Sequence, residues 1–172
     1  ITLLDTPGHV DFSTETERTL QVLDYAVLVI SGTDGVQSHT RTLWRLLSRY
    51  HIPTFLFINK MDLPGTHRQS LMEQLRRQLD GGCVDFDPHR PPEELWEEAA
   101  LCDEDTMAAY LEKGKLEQED LSNLIAQRKL FPCYFGSALR LQGVTELLEG
   151  LERYTTPRVY GREFAARVYK IG

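Results

Sequence analysis

Four short, nearly unbroken apolar runs, Ile1–Leu4, Tyr25–Ile30, Pro53–Ile58 and Phe131–Phe135, constrain the fold of this chain more than any other feature. They are too short for helices and lack the polar alternation of a sheet with one wet face, so they predict central strands of a parallel sheet. Amphipathic stretches lie between them. Thr14-Glu15-Thr16-Glu17 forms a capping box that opens a helix through Leu20 and Leu23, and Val36, Leu43, Leu47 and Tyr50 mark the apolar face of a second. Leu71, Leu75 and Leu79 recur at four-residue spacing before Gly81-Gly82, and Val144, Leu147, Leu148 and Leu151 recur before Pro157. The order β-α-β-α-β-α, an insert, then β-α predicts an α/β domain with crossover helices.

The insert runs from about 81 to 129. Pro88, Pro91 and Pro92 break the chain, acidic helical stretches follow at 93–100 and 103–111, and no strand is expected within it. Trp96, Met107 and Tyr110 are its expected anchors on the α/β body. Beyond Pro157, residues 163–171 alternate with strand period, so 158–172 reads as a linker and the start of a second domain.

Composition excludes several classes. Lys and Arg number 19 against 26 Asp and Glu, a net charge of −7, so a sequence-blind electrostatic grip on nucleic acid over the whole surface is not expected, a local basic patch stays open, and no sequence-specific DNA partner is expected. Three cysteines without a C-x-x-C pair suggest neither a disulfide framework nor a zinc cage, and fit reduced thiols in a cytoplasmic protein. No run approaches the roughly 18 apolar residues of a membrane span, and the N-terminus has no signal-peptide pattern. The opening inside a strand pattern, without Met, suggests a piece of something longer.

Chemistry gathers at the strand ends, where open α/β sheets present ligand groups. After the first run comes Asp5-Thr6-Pro7-Gly8-His9: a carboxylate at a strand tip can hold Mg²⁺ directly or through water, and Gly8 lets a bare N–H approach a phosphate oxygen. After the third comes Asn59-Lys60-Met61-Asp62. The Asp62 carboxylate can accept both the N1–H and the exocyclic N–H of guanine, whereas adenine offers an acceptor at N1, so this site is expected to select guanine. Asn59 can tie the base-binding loops together and touch N7, and the Lys60 stem can lie against the purine. After the fourth comes Gly136-Ser137-Ala138, where the N–H groups of Ala138 and Leu139 can reach guanine O6 while the Ser137 hydroxyl braces Asp62.

These elements, in this order, resemble the GTP-binding domain of the translational GTPases of the elongation factor G class. Asp5 through Phe12, Asp34-Gly35-Val36-Gln37, Asn59 through Asp62 and Gly136 through Ala138 carry the resemblance. The helical insert and Lys129-Leu130-Phe131-Pro132 look most similar to the ribosomal protection proteins of tetracycline resistance. The resemblance implies a P-loop GTPase-like, Rossmann-like three-layer G domain over 1–157, with the second domain a β-barrel. It implies GTP or GDP with Mg²⁺ at Asp5, γ-phosphate sensing by Gly8, a hydrolytic water positioned by His9, and the ribosome as partner.

Two departures stand out. Leu139 and Arg140 occupy positions where many relatives carry Lys and Asn, and no G-x-x-x-x-G-K-[ST] occurs in the sequence, so the phosphate cradle is absent from these 172 residues. In this fold the missing strand lies between the strand ending at Leu4 and the one starting at Tyr25. The expected remedy for two unpaired edges is a rearranged or oligomeric sheet, through direct pairing of the edges, a neighbouring chain, or residues 164–171 folding back. Three functional readings follow: a ribosome-stimulated GTPase of which this chain is part and which is inactive alone, a non-catalytic ribosome- or protein-binding module, and an inactive truncated product. Arg41, Arg45 and Arg49 form a basic stripe that reads as a solvated face or a ribosome contact, and His39, His51, His67 and His89 show no metal-ligand spacing.

Overall fold

The structure is a computed structural model and describes residues 2–5 and 20–157. Four parallel strands, β1 (Ala26–Ser31), β2 (Thr54–Asn59), β3 (Cys83–Asp85) and β4 (Phe131–Phe135), form one sheet in the order β1-β2-β4-β3. The helices are α1 (Ser38–Arg49), α2 (Arg68–Gln78), α3 (Pro92–Ala100), α4 (Glu104–Lys113), α5 (Gln118–Ala126) and α6 (Val144–Tyr154). A 3₁₀ turn occupies Ala138–Arg140.

Both faces of the sheet are covered, which makes three layers. On one, Leu28, Ile30, Leu56, Ile58, Phe131 and Cys133 pack against Trp44 of α1 and Leu71, Met72 and Leu75 of α2. On the other, Phe55, Phe57, Val84 and Tyr134 pack against Ala99 and Ala100 of α3, Leu121 and Leu124 of α5, and Leu147 of α6. β2 is buried along nearly its whole length, as its continuous apolar run predicts, because neighbours flank it and helices cover it. β1 has one strand neighbour among the described residues and alternates: Leu28 and Ile30 are buried, while Val27 and Val29 are exposed.

Three of the four expected strands form. The fourth does not: residues 2–5 carry no strand and Leu3 is 85% exposed, because a parallel strand needs an adjacent ladder and none of the described strands pairs with this segment. Direct pairing of the Leu4 and Tyr25 edges, one of the expected remedies, is therefore not adopted, and residues 164–171 lie outside the described residues. The expected helix through Leu20 and Leu23 falls largely outside them as well, and its described end stops short of Leu23: Leu20 is helical and residues 21–22 turn away. Leu148, expected on the apolar face of α6, is 58% exposed, since Leu147, Gly150 and Tyr154 supply the buried side of that helix instead.

The insert does contain a strand, against expectation. β3 is three residues long, too short to show a period, and it exists because β4 offers an open edge: Cys83 aligns with Phe131 and Asp85 with Cys133. Trp96, Met107 and Tyr110 pack on the core as expected. α5, not anticipated in the sequence, buries Leu121, Leu124 and Ile125.

Pro132 sits within β4, between two strands, where a missing N–H ordinarily breaks a ladder. The Phe131 N–H bonds the Gly82 carbonyl on the β3 side, and the Gly136 N–H bonds the Ile58 carbonyl on the β2 side. Strand alternation therefore turns the Pro132 nitrogen toward β2, whose ladder with β4 begins only at Leu56 and Cys133. Arg128 fills that gap. It holds a left-handed backbone (φ 58°), donates to the Ile52 carbonyl and the Thr54 hydroxyl, and lies over the Trp44 and Phe131 rings.

Ion pairs fasten the insert. Arg68 of α2 grips Asp85 through two hydrogen bonds (2.6 and 2.5 Å) and reaches Asp87 at 2.8 Å. Arg76 donates to the Cys83 carbonyl (2.9 Å) and pairs with Glu98, which also takes Arg90 at 2.8 Å. At the next corner Asp103 caps α4, accepting from the Thr106 N–H (3.0 Å) and hydroxyl (2.9 Å), and pairs with Lys129 at 2.6 Å. Those bonds, Lys129 first, hold the Asp103 carboxyl down at about 2. A folded value below the ordinary carboxylate value gives stability that is present above about pH 4 and is lost as pH falls toward 2. Asp103→Asn should therefore unfold at lower denaturant concentration than wild type at pH 7. The difference should shrink below about pH 4 and close near pH 2, as followed by urea melts across that range.

Candidate functional site

The parallel pairing of β2 with β4 sets the geometry. Because Ile58 aligns with Phe135, the chain leaves the two strands side by side, and Asn59 and Gly136 become neighbours although 77 positions separate them. The Gly136 N–H bonds the Ile58 carbonyl and the Met61 N–H bonds the Gly136 carbonyl, each at 2.9 Å, so backbone locks the two tips together.

Asn59 then acts as a clamp. Its Oδ1 accepts from the Lys60 N–H and from the Ala138 N–H, both at 2.8 Å, joining the two expected base-binding loops through one side-chain oxygen. Its carbonyl accepts from the Gly32 N–H at 2.7 Å, which ties in the end of β1. A Cβ on Gly32 would stand 3.1 Å from the Asn59 carbonyl oxygen and 2.8 Å from the Met61 sulfur, so a side chain there would require both to give. Lys60 adopts the left-handed region (φ 64°), uncommon for a residue with a Cβ, and the Asn59 bond to its N–H offsets that cost. The Thr66 hydroxyl bonds the Met61 and Leu63 carbonyls and closes the loop.

Asp62 lies on the same side, its side chain only 11% exposed. Its carboxyl is held below the ordinary range, first by hydrogen bonding from the Ser137 side chain, which outweighs the burial that would raise it, then by a bond from its own backbone N–H and last by the charge of Arg140, whose Nε stands 3.1 Å from Oδ2. Asp62 thus stays ionised, an acceptor on both oxygens. Ser137 is buried and exchanges N–H···O bonds with Gln142 at 3.0 Å, so the 3₁₀ turn 138–140 projects from a closed base. That closure needs glycine on both sides: a Cβ on Gly136 would run into the Gln142 carbonyl, and Gly143 takes a positive φ of 73° against the Phe135 carbonyl.

The structure therefore brings together Asn59, Lys60, Asp62, Ser137, Ala138 and Leu139 at one edge of the sheet, with Ala138 and Leu139 exposed. Asp5 is exposed in irregular chain, and Gly8 and His9 lie outside the described residues. Among the described residues no group of three His, Cys, Asp or Glu side chains is arranged to hold a metal ion. A lone carboxylate nevertheless suits Mg²⁺, which keeps several waters and commonly takes one or two protein carboxylates together with substrate phosphates. Sequence reasoning missed the Arg140–Asp62 pair, which no local pattern can reveal at that separation, and the Met61–Gly136 bond. A cavity of about 140 Å³, lined by Phe86, Tyr134, Phe135 and Gly143 among others, lies beside the clamp and includes neither Asn59 nor Asp62.

A three-layer parallel α/β sheet with an Asn-Lys-x-Asp loop clamped to a Ser-Ala loop at its carboxyl edge defines a guanine-nucleotide-binding domain of the GTPase class. Residues 1–157 match the family described as the elongation factor Tu GTP binding domain, and the chain belongs to that family. It is a translational GTPase domain similar to tetracycline resistance proteins: 39% identical over 168 residues to TetM of Streptomyces lividans (88% of this chain, 26% of that protein), and 35% identical over 198 residues to the oxytetracycline resistance protein of Streptomyces rimosus (99% and 30%). The chain spans between a quarter and a third of the length of these relatives. A crystal structure of a Thermus thermophilus protein shares the fold, with a TM-score of 0.72 at 24% identity, over 88% of this chain and 29% of that one. Among the described residues no helix is long and apolar enough to cross a membrane.

Asn59→Ala removes the shared acceptor and leaves the Lys60 and Ala138 N–H groups without it. The variant should lose about 1–2 kcal/mol of stability. Amide exchange at Ala138 should accelerate at least about tenfold while the amides of β2 hold their protection, as measured by hydrogen exchange with NMR detection.

Proposed function

We propose that this chain is the guanine-reading and hydrolysis-coupling part of a GTPase that works on the ribosome. The observation that carries the reading is the Asn59 clamp, which joins the loop bearing ionised Asp62 to the loop bearing the Ala138 and Leu139 N–H groups. In this reading Asp62 accepts the two donors of guanine, the Leu139 N–H donates to O6 while that of Ala138, expected to share this role, is given to the Asn59 oxygen and sets the loop in place, Ser137 and Arg140 hold the carboxylate, and the Lys60 stem covers the base. Asp5 serves Mg²⁺, a hard cation suited to carboxylate oxygen, through an intervening water. The ion supplies charge neutralisation at the phosphates. Gly8 senses the γ-phosphate, and His9 orients the attacking water.

Residues 1–157 form the GTP-binding domain in this proposal, with the insert at about 81–129, and 158–172 lead into a β-barrel domain. The protein is cytoplasmic, with the ribosome as its partner. The 172 residues contain no phosphate-cradle motif, so the rest of a longer protein supplies it, and the isolated chain neither binds nor hydrolyses GTP measurably. The edge of β1 that has no strand neighbour among the described residues, with Val29 59% exposed, is where the chain alone self-associates through strand pairing. The absent motif also supports a second reading, a ribosome-binding module without turnover, and a measurement of GTP hydrolysis by the full-length protein discriminates the two.

Placed in the full-length protein, Asp62→Asn should weaken GTP binding strongly and improve binding of xanthosine triphosphate, whose O2 acceptor suits an amide donor. Titration of both nucleotides against both proteins checks this, and an unchanged preference removes Asp62 from the site. His9→Ala should lower ribosome-stimulated turnover by about 10² while GTP affinity stays within a few-fold, as read from single-turnover assays.

A further inference from the structure

The solvent face of α1 has a composition unlike the rest of the molecule. Thr40, Trp44 and Leu47 are buried. On the opposite side Ser38, Arg41, Thr42, Arg45, Ser48 and Arg49 fall within about 120° of arc at the helical period. All are exposed except half-buried Arg41, and the arc holds no carboxylate and no apolar residue.

Among the described residues these arginines form no ion pair. Arg41 donates to the neutral amide oxygen of Gln78 on α2 at 3.0 Å, Arg49 lies 6.0 Å from the Tyr50 ring centroid, and Arg45 has no ion pair among the described residues. Exposed Arg77 adds a fourth cation on α2, the helix that Arg41 touches. Charge is also segregated along the chain. Residues 36–79 carry seven Lys and Arg against two Asp and Glu, whereas residues 80–157 carry seven against seventeen. A net charge of −7 therefore hides a cationic region around α1 and α2.

We propose that the Ser38–Arg49 face of α1 is a docking surface for the phosphate backbone of RNA. Arginine forks match phosphate oxygens in pairs, and the hydroxyls of Ser38 and Ser48 interleaved among them are the other side chains that commonly bond phosphate, while that of Thr42 is turned to the Ser38 carbonyl. A membrane surface fits less well, because an interfacial helix inserts an apolar face and that of α1 is already in the core. Contact is with backbone, not bases: the deep, narrow major groove of an RNA duplex keeps arginine from the guanine edges it would otherwise read. This inference does not rest on the guanine site, which lies on separate loops.

The test is titration of the 172-residue chain with a short RNA duplex at increasing salt, read by fluorescence anisotropy. Three phosphate contacts predict a slope of log K against log salt of about −2 to −3, which is roughly a 15- to 60-fold loss of affinity between about 50 and about 200 mM. Arg41→Gln, Arg45→Gln and Arg49→Gln combined should abolish the slope and weaken binding at low salt by at least about tenfold. Arg45→Gln alone, at a site without an ion pair to lose, should keep the wild-type melting temperature and reduce the slope by about one. The proposal is overturned by an absence of RNA binding at low salt, by binding that the variants leave unchanged, or by binding to phosphatidylserine vesicles in place of RNA.

Discussion

The register of β2 against β4 is the constraint on which the site depends. Pairing Leu56, Phe57 and Ile58 with Cys133, Tyr134 and Phe135 brings two remote loops out of the sheet at the same level, and the Asn59 and Gly136 bonds follow from it. A slip of one residue would turn every side chain of β4 to the other face, exchanging Phe131 and Cys133 for Tyr134 between the two halves of the core. Burial on both faces makes that slip prohibitive. Core packing thus supplies the precision that the exposed loops do not have for themselves.

The insert shows a second kind of dependence. Its helices carry many carboxylates, yet its attachment is specific, because the arginines of α2 and of the loop after β3 meet them in pairs: Arg68 with Asp85 and Asp87, Arg76 and Arg90 with Glu98. The Arg68 guanidinium also lies 4.6 Å from the Phe135 ring centroid, so the same residue that anchors β3 packs over the end of β4. The acidic half of the molecule is joined to its basic half through these contacts, and α1 lies outside them. That division leaves one helix face cationic while the chain as a whole stays acidic.

Much of this was legible before any fold was known. The runs at Tyr25, Pro53 and Phe131 became β1, β2 and β4 because continuous apolar residues of that length have few other places to go. Asn59, Asp62 and Ser137 could be singled out because each follows such a run, where a parallel sheet presents its functional groups. β3 was invisible, since Cys83-Val84-Asp85 has no pattern of its own and becomes a strand only through the edge that β4 offers. Residues 2–5 show the reverse: an apolar run with strand character that pairs with none of the described strands.

By itself, then, the sequence determined which segments are strands and helices over most of the described chain, which residue types stand at the strand tips, and what those groups can accept or donate. These are local matters of periodicity and functional-group chemistry. Only the tertiary structure decided which Asn59 atom joins the loops and which amides it takes, that Arg140 joins the expected Ser137 beside Asp62, that Arg128 occupies the gap beside Pro132, and that the arginines of α1 stand apart from the carboxylates of the insert. Each is a relation between segments distant in the chain or packed across the sheet, and such relations are set by strand register and helix packing, which no local pattern encodes.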